Sequence, residues 1–241
     1  MSVLIVKNIS REGPGLLDEI LRQHNITSHT VDLSEGNPVF PGPSAYKAMV
    51  VLGGPDSAND NSDKMRTELS RITMALNVNM PYLGICLGMQ ALVKAAGGEV
   101  YKCLAPEIGW RAQAGSFFEL DLTTEGAADS LFNGIKSHAS SPRRVFQLHG
   151  ETVKLAEGMV PLATGNGLCQ VVKISEKPAY GIQGHFELTP GMFQQWLRED
   201  PDLRRLDAAS LKRDYATVRA DYERAGRQLF TNFLKIAGVI S

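Results

Sequence analysis

Short, wholly apolar runs alternate along the first hundred residues with segments whose apolar side chains recur every three or four positions. This alternation leaves the chain few architectures. Val3-Leu4-Ile5-Val6 is followed by the turn Gly13-Pro14-Gly15 and then by Leu16, Leu17, Ile20 and Leu21, a helical spacing with Pro14 near its first turn. Thr30-Val31-Asp32-Leu33 and Ala48-Met49-Val50-Val51-Leu52 read as strands, and Met65, Leu69, Ile72 and Leu76 form a helical stripe. Tyr82-Leu83-Gly84-Ile85 is the next strand, and a helix over 87–96 is halted by Gly97-Gly98. A strand that is apolar at every residue is buried on both faces, so repeated strand-helix units predict a mostly parallel sheet with helices on either side.

From about Ser116 the strands shorten and Gly, Pro and Asn turns separate them. The runs 117–120, 145–148, 169–172 and 180–183 are expected to extend the same sheet in antiparallel fashion. No linker, repeat or low-complexity segment divides the chain, so residues 1–241 are expected to form a single domain. Residues 204–236 carry dense mixed charge around Leu206, Leu211, Tyr215, Val218 and Tyr222. They predict a C-terminal helical extension, over about 200–241, that packs on the outside; an oligomer contact is the alternative.

Charge and cysteine content narrow the function. With 25 basic and 26 acidic side chains the formal charge is −1, which gives no field to gather nucleic acid or anionic lipid. The N-terminal apolar run stops at Lys7, too short for a signal-peptide core or a membrane span, so a cytoplasmic location is expected. Three cysteines (Cys86, Cys103, Cys169) lack CxxC or Cys/His ligand spacing, which argues against a disulfide framework or structural zinc. No metal and no cofactor are expected, and neither a Walker-type loop nor a strand-to-helix G-x-G-x-x-G is present.

Chemistry concentrates at Gly84-Ile85-Cys86-Leu87-Gly88, a G-x-C-x-G between a strand and a helix. This is the spacing of a nucleophile elbow, where a sharp turn lifts one side chain above the sheet. A helix N-terminus favours the thiolate, the attacking form of cysteine. A thiolate nucleophile needs a histidine to carry its proton, and that histidine needs an acceptor on its other nitrogen. Of five histidines, His24 and His29 are expected in solvent and His138 in a Ser-rich loop, whereas His185 follows a strand and has Glu187 two residues on. In extended chain, both side chains point to one face. The turn Leu52-Gly53-Gly54-Pro55-Asp56-Ser57 can supply one amide to a developing oxyanion and Leu87 the second. As a pyrophosphate loop that turn is poor, because Leu52 replaces the first hydroxyl and Pro55 has no N–H.

These residues resemble the class I glutamine amidotransferases, and within them the branch similar to the amidotransferase domain of GMP synthase. The resemblance covers roughly residues 45–190. It rests on Gly53-Gly54-Pro55-Asp56-Ser57, Pro81-Tyr82-Leu83-Gly84-Ile85-Cys86-Leu87-Gly88-Met89-Gln90, Glu107-Ile108-Gly109-Trp110, His149-Gly150-Glu151-Thr152-Val153 and Gly181-Ile182-Gln183-Gly184-His185-Phe186-Glu187. It implies a flavodoxin-like three-layer α/β sandwich in which Cys86 attacks the side-chain amide of glutamine, His185 protonates departing ammonia and Glu187 holds His185. By the same resemblance Gly54 and Leu87 donate to the oxyanion, and Gly53, Gln90 and Glu151 surround the substrate. The family usually has Phe-His-Pro-Glu where this chain has Gly184-His185-Phe186-Glu187, and His-Gly-Asp where it has His149-Gly150-Glu151. His149 is expected to be structural or at the pocket rim, residues 107–110 a packed turn, Gln170 either a pocket or a ladder residue, and Cys103 and Cys169 packing residues.

The expected function is therefore glutamine γ-amide hydrolysis through a cysteinyl thioester, with ammonia passed to a separate synthetase. The alternatives are a free-standing γ-glutamyl hydrolase, which needs no partner, and a catalytically silent binding module, against which the intact triad argues.

Overall fold

The structure is a computed structural model that describes residues 2–36, 39–135 and 143–241. Its centre is an eight-stranded sheet in the order β2-β1-β3-β4-β10-β9-β8-β6, where β1 is Ser2–Lys7, β2 Thr27–Asp32, β3 Ala48–Val51, β4 Tyr82–Ile85, β6 Asp121–Leu122, β8 Met159–Gly165, β9 Leu168–Ile174 and β10 Ala179–Ile182. Strands β2, β1, β3, β4 and β10 run parallel, and β9, β8 and β6 continue the sheet antiparallel.

The period-two geometry of a strand sorts the apolar runs into two cores. Val3, Ile5, Ala48 and Val50 face α1 (Leu16–Gln23), α5 (Pro190–Glu199) and α6 (Ala208–Ile236); Leu4, Val6, Met49 and Val51 face α2 (Asp63–Asn77) and α3 (Leu87–Ala95). The result is a three-layer α/β sandwich with a mostly parallel central sheet and a C-terminal helix of 29 residues. Helix starts follow local chemistry. Ser62 accepts from Met65 N–H at the head of α2, and Thr189 caps α5 ahead of Pro190.

Several elements differ from the sequence expectation. The run 145–148 does not join the large sheet: it enters β7 (Gln147–Lys154), which pairs antiparallel with β5 (Glu99–Gly109) in a separate two-stranded sheet. Residues 117–120 form only isolated bridges, Phe117 to Arg111 and Glu119 to Arg144. Residues 107–109 are the end of β5 rather than a packed turn, in register with 147–149. Strand β5 has no clean apolar alternation because much of it faces solvent, and β8 hides behind Pro161, which sits where the ladder shifts register. Helix α6 covers the sheet as expected, yet Tyr215, Val218 and Tyr222 on it are fully packed into the core.

This topology determines where chemistry can occur. Chain leaving β1 goes to β2 on one side while β3 lies on the other, so loops diverge at the carboxyl ends of β1 and β3 and open a crevice. Strands β4 and β10 are neighbours with Ile85 opposite Ile182, and Cys86 N–H donates to the Ile182 carbonyl at 2.8 Å. The elbow after β4 and the loop after β10, 97 residues apart at Cys86 and Gln183, meet as adjacent strand ends.

Candidate active site

Cys86 sits in a left-handed conformation, φ 53° and ψ −108°, at the N-terminus of α3. A non-glycine residue held there costs on the order of 1–3 kcal/mol, so the surroundings must enforce it. They do so by close backbone approach: a Cβ on Gly84 would lie 2.3 Å from the Gly88 carbonyl oxygen, and one on Gly88 2.1 Å from the Val51 carbonyl oxygen. The elbow can close only with glycine at both positions. The Cys86 Sγ lies 3.7 Å from the Leu148 carbonyl oxygen, and Gln183 Nε2 donates toward it at 3.7 Å.

His185 and Glu187 come together as the sequence implies, with Nδ1 2.6 Å from Oε1 and both side chains 1% exposed. Burial alone would lower the basicity of the imidazole. The Glu187 charge and hydrogen bond, together with adjoining Cys86, reverse this and hold His185 well above the usual histidine range. Its Nε2 is buried without a hydrogen-bond partner.

Both substitutions in the Gly184-His185-Phe186-Glu187 block have structural counterparts. A Cβ on Gly184 would lie 2.3 Å from Val145 Cγ2, leaving no room for phenylalanine. Phe186, standing where the family has proline, is buried and stacks on Tyr222 of α6 with ring centroids 6.1 Å apart. The Tyr222 hydroxyl donates to the His185 carbonyl (3.2 Å) and accepts from Leu188 N–H (3.0 Å). Trp196 of α5 meets the His185 ring edge to face at 4.9 Å. The backbone around His185 is therefore fixed by a tyrosine clamp in place of a proline ring. Tyr222, Trp196 and Gln183 are not identifiable as site residues from sequence. Tyr222 carries only the signature of an apolar helical stripe, and nothing local marks α5 as a wall of the site.

A cavity of about 610 Å³ opens beside the thiol, and Gly54, Ser57, Cys86, Gln90, His149 and Glu151 are among the residues that line it. Glu151 Oε2 accepts from Ser57 Oγ at 2.8 Å, and Gln90 Nε2 donates to the Glu151 carbonyl (3.0 Å) and to Gln183 Oε1 (3.3 Å). Gln90 thus ties α3 to β7 as well as lining the cavity. Leu87, at the head of α3, is buried next to Cys86. Gly53 is a spacer: a Cβ there would fall 3.1 Å from His185 Cε1 and 3.4 Å from Cys86 Cβ.

The remaining sequence candidates sort clearly. His149 is buried, its Nε2 3.0 Å from Glu107 Oε2 and its Nδ1 donating to the Glu151 carbonyl at 3.0 Å. Gln170 lies in the core, donating to Glu107 and accepting from Gln147. Burial pushes Glu107 up, but hydrogen bonds from His149, Asn166 and Gln170 outweigh it and hold the carboxyl below its usual range. Burial raises the Cys103 thiol to about 11 and Cys169 to about 12, so neither is a ready thiolate. His24 and His29 are exposed, and His138 lies outside the described residues.

Under the Gly53-Gly54 turn, another buried carboxyl, Glu68, acts on stability. Asn8 Nδ2 donates to Glu68 Oε1 at 3.0 Å and to the Leu52 carbonyl at 3.3 Å, while Glu68 Oε2 is buried without a partner. Burial raises Glu68 to about 7, Asn8 and Lys64 offsetting part of the effect. The folded chain then holds this proton more tightly than the unfolded chain does, so stability is full below about pH 4.5 and falls as pH rises through 7. Glu68→Gln removes the dependence. Denaturant titrations between pH 4.5 and 8 should show wild type losing about 3 kcal/mol more than Glu68→Gln over that span; parallel losses would contradict this account of Glu68.

Among the described residues no cluster of three His, Cys, Asp or Glu side chains could hold a metal ion, and no helix is long and apolar enough to cross a membrane. The family model described as "Glutamine amidotransferase class-I" matches residues 17–200. The glutamine-hydrolysing GMP synthase of Hahella chejuensis is 29% identical over 164 residues, 66% of this chain but 27% of that protein, so the match spans about a quarter of that relative's length. A glutamine-hydrolysing GMP synthase subunit from Methanococcus maripaludis is 29% identical over 148 residues, 61% of this chain and 67% of that one. Crystal structures of glutamine amidotransferases from Thermotoga maritima and Methylobacillus flagellatus share the fold, each with a TM-score of 0.83. The first is 22% identical and covers 98% of both chains; the second is 23% identical and covers 98% of this chain and 94% of that one. With the family matched over most of its length, the chain belongs to the class I glutamine amidotransferases, a family of amide-hydrolysing enzymes.

Proposed function

We propose that the protein hydrolyses the γ-amide of L-glutamine with Cys86, His185 and Glu187 and releases ammonia to a separate acceptor enzyme. The observation that carries this reading is a cavity lined by a strained elbow thiol and by the Gln90, Ser57 and Glu151 group that can meet the ammonium of an amino acid, with a histidine backed by a buried carboxylate packed beside that thiol at the Gly53 turn.

The chemistry follows in order. The Cys86 thiolate attacks the amide carbon, and the amides of Gly54 and Leu87 receive the developing oxyanion. His185 gives its Nε2 proton to the amide nitrogen, the C–N bond breaks, and ammonia leaves a thioester on Cys86. Neutral His185 then takes a proton from water as it attacks the thioester, and glutamate and the thiolate are released. Glu187 orients the ring and stabilises its charged form throughout. A separate synthetase is supported by a relative whose own name makes it one part of a larger enzyme. Residues 1–241 act in this reading as one domain.

A free-standing γ-glutamyl hydrolase is the second reading. In its favour, the cavity continues beyond the triad to Arg11, Asp200, Asp202 and Arg205, giving room for a leaving group larger than ammonia. Steady-state kinetics on glutamine and on γ-glutamyl peptides separate the two. Glutamine is expected to have the higher kcat/KM. A peptide preferred at least about a hundredfold, roughly 2.7 kcal/mol of transition-state stabilisation, would establish the second reading instead.

A further inference from the structure

Glu12 belongs to none of the sequence motifs, yet its carboxyl lies against the reacting groups. It sits on the loop between β1 and α1, is 4% exposed, and lines the cavity with Cys86. A Cβ placed on Gly53 would be 2.3 Å from Glu12 Oε2, 3.1 Å from His185 Cε1 and 3.4 Å from Cys86 Cβ, so carboxyl, imidazole and thiol residue all crowd one point. Nδ1 of His185 is taken by Glu187, and the ring atom nearest that shared point is Cε1.

The loop is not free to withdraw the carboxyl. Arg11 is held by Asp200 at 2.8 Å, its carbonyl accepts from Trp196 Nε1 at 3.0 Å, and Leu16 N–H donates to the Glu187 carbonyl at 2.9 Å. Gly15, with φ 48°, passes so close that a Cβ there would be 1.9 Å from the Glu187 oxygen. The charged groups around Glu12 are Arg11 on its own loop, Asp200 at the end of α5, His185 and Glu187 after β10, and Cys86 at the elbow. Arg11 is already paired with Asp200, and Glu12 Oε2 is buried with no hydrogen-bond partner.

We propose that Glu12 is a positioning residue of the active site, whose carboxyl faces the Cε1 edge of His185 and controls how tightly the imidazolium holds its proton. This rests on the amide-hydrolase reading above for its role in turnover, though not for its electrostatics. Neutral Glu12 leaves the imidazolium a stronger acid toward the departing nitrogen. Ionised Glu12 stabilises the imidazolium and slows that proton transfer. Burial raises Glu12 to about 7, with the His185 charge opposing the rise, so the change of state falls near neutral pH.

The test is a pH titration of the histidine Cε1–H resonances in the intact protein, wild type against Glu12→Gln, alongside kcat for glutamine over the same pH values. The His185 resonance of wild type should show a step near pH 7 that Glu12→Gln lacks, and the ring's own titration should move to lower pH in the variant. The fall in kcat that accompanies ionisation of Glu12 near pH 7 should be absent from the variant, leaving only the fall set by the ring's own titration. The His24, His29 and His149 resonances, unchanged, show that the variant keeps its fold; if they move, Glu12→Asp, which keeps a titrating group, must retain the step. A step that persists in Glu12→Gln, or is missing from wild type, overturns the proposal whatever the activity. A step lost in Glu12→Gln in a protein that does not hydrolyse glutamine upholds the role of Glu12 and refutes the glutamine reading.

Discussion

Cys86→Ala is expected to abolish glutamine hydrolysis, lowering kcat by at least about 10⁴-fold, because alanine leaves the site no atom that can form the thioester. The fold should survive. Alanine is smaller than cysteine and removes only the weak Sγ contacts to Leu148 and Gln183, while the elbow is enforced by the backbone approach of Gly84 and Gly88. The measurement is ammonia release from glutamine alongside thermal unfolding. A variant that unfolds near the wild-type temperature but retains more than about a hundredth of the activity would remove Cys86 from the mechanism.

Replacement of the other two triad members should have unequal effects. In the proposed mechanism His185 moves both protons, so the loss of kcat in His185→Ala should approach that of Cys86→Ala. Glu187→Gln keeps a side chain of the same shape beside Nδ1 but gives up the charge that holds the imidazolium, so it should retain more activity than either. His149→Ala should do far less to kcat, since both nitrogens of that ring are engaged, by Glu107 and by the Glu151 carbonyl. Single-turnover rates on folded variants give the order. The assignment fails if Glu187→Gln is the most damaging, or if His149→Ala matches His185→Ala.

The parallel half of the fold is legible because strands buried on both faces and helices with one apolar stripe leave simple spacings, as in Val3-Leu4-Ile5-Val6 and Met65, Leu69, Ile72, Leu76. The antiparallel half is legible only in part. Strand β5 exposes residues such as Tyr101 and Leu104, and its partner β7 pairs with it rather than with the large sheet, so periodicity cannot assign either one. Helix α5 carries its signal in Thr189-Pro190, a cap and a first-turn proline, which the stronger His185 motif just before it obscures.

At the site, the residues legible from sequence are those whose backbone geometry or local spacing is itself distinctive: Cys86 between glycines, and Glu187 two residues after His185. What supports them is contributed by distant segments that meet only in three dimensions. Tyr222 reaches the His185 carbonyl from 37 residues away, and Gln183 reaches Cys86 across 97. Glu12 is brought to the Gly53 turn, which His185 also approaches, by the order of strands, since the loop after β1 and the turn after β3 are neighbours at the crevice. No single-sequence pattern encodes such an approach.

Covalent capture tests the central claim most directly. The protein is incubated with an electrophilic glutamine analogue, digested, and mapped by mass spectrometry, with and without excess glutamine. One adduct per chain on Cys86, slowed by glutamine, is the expected result. Labelling of Cys103 or Cys169 in its place, or a Cys86 adduct that glutamine does not slow, would contradict a glutamine site built around the Cys86 elbow.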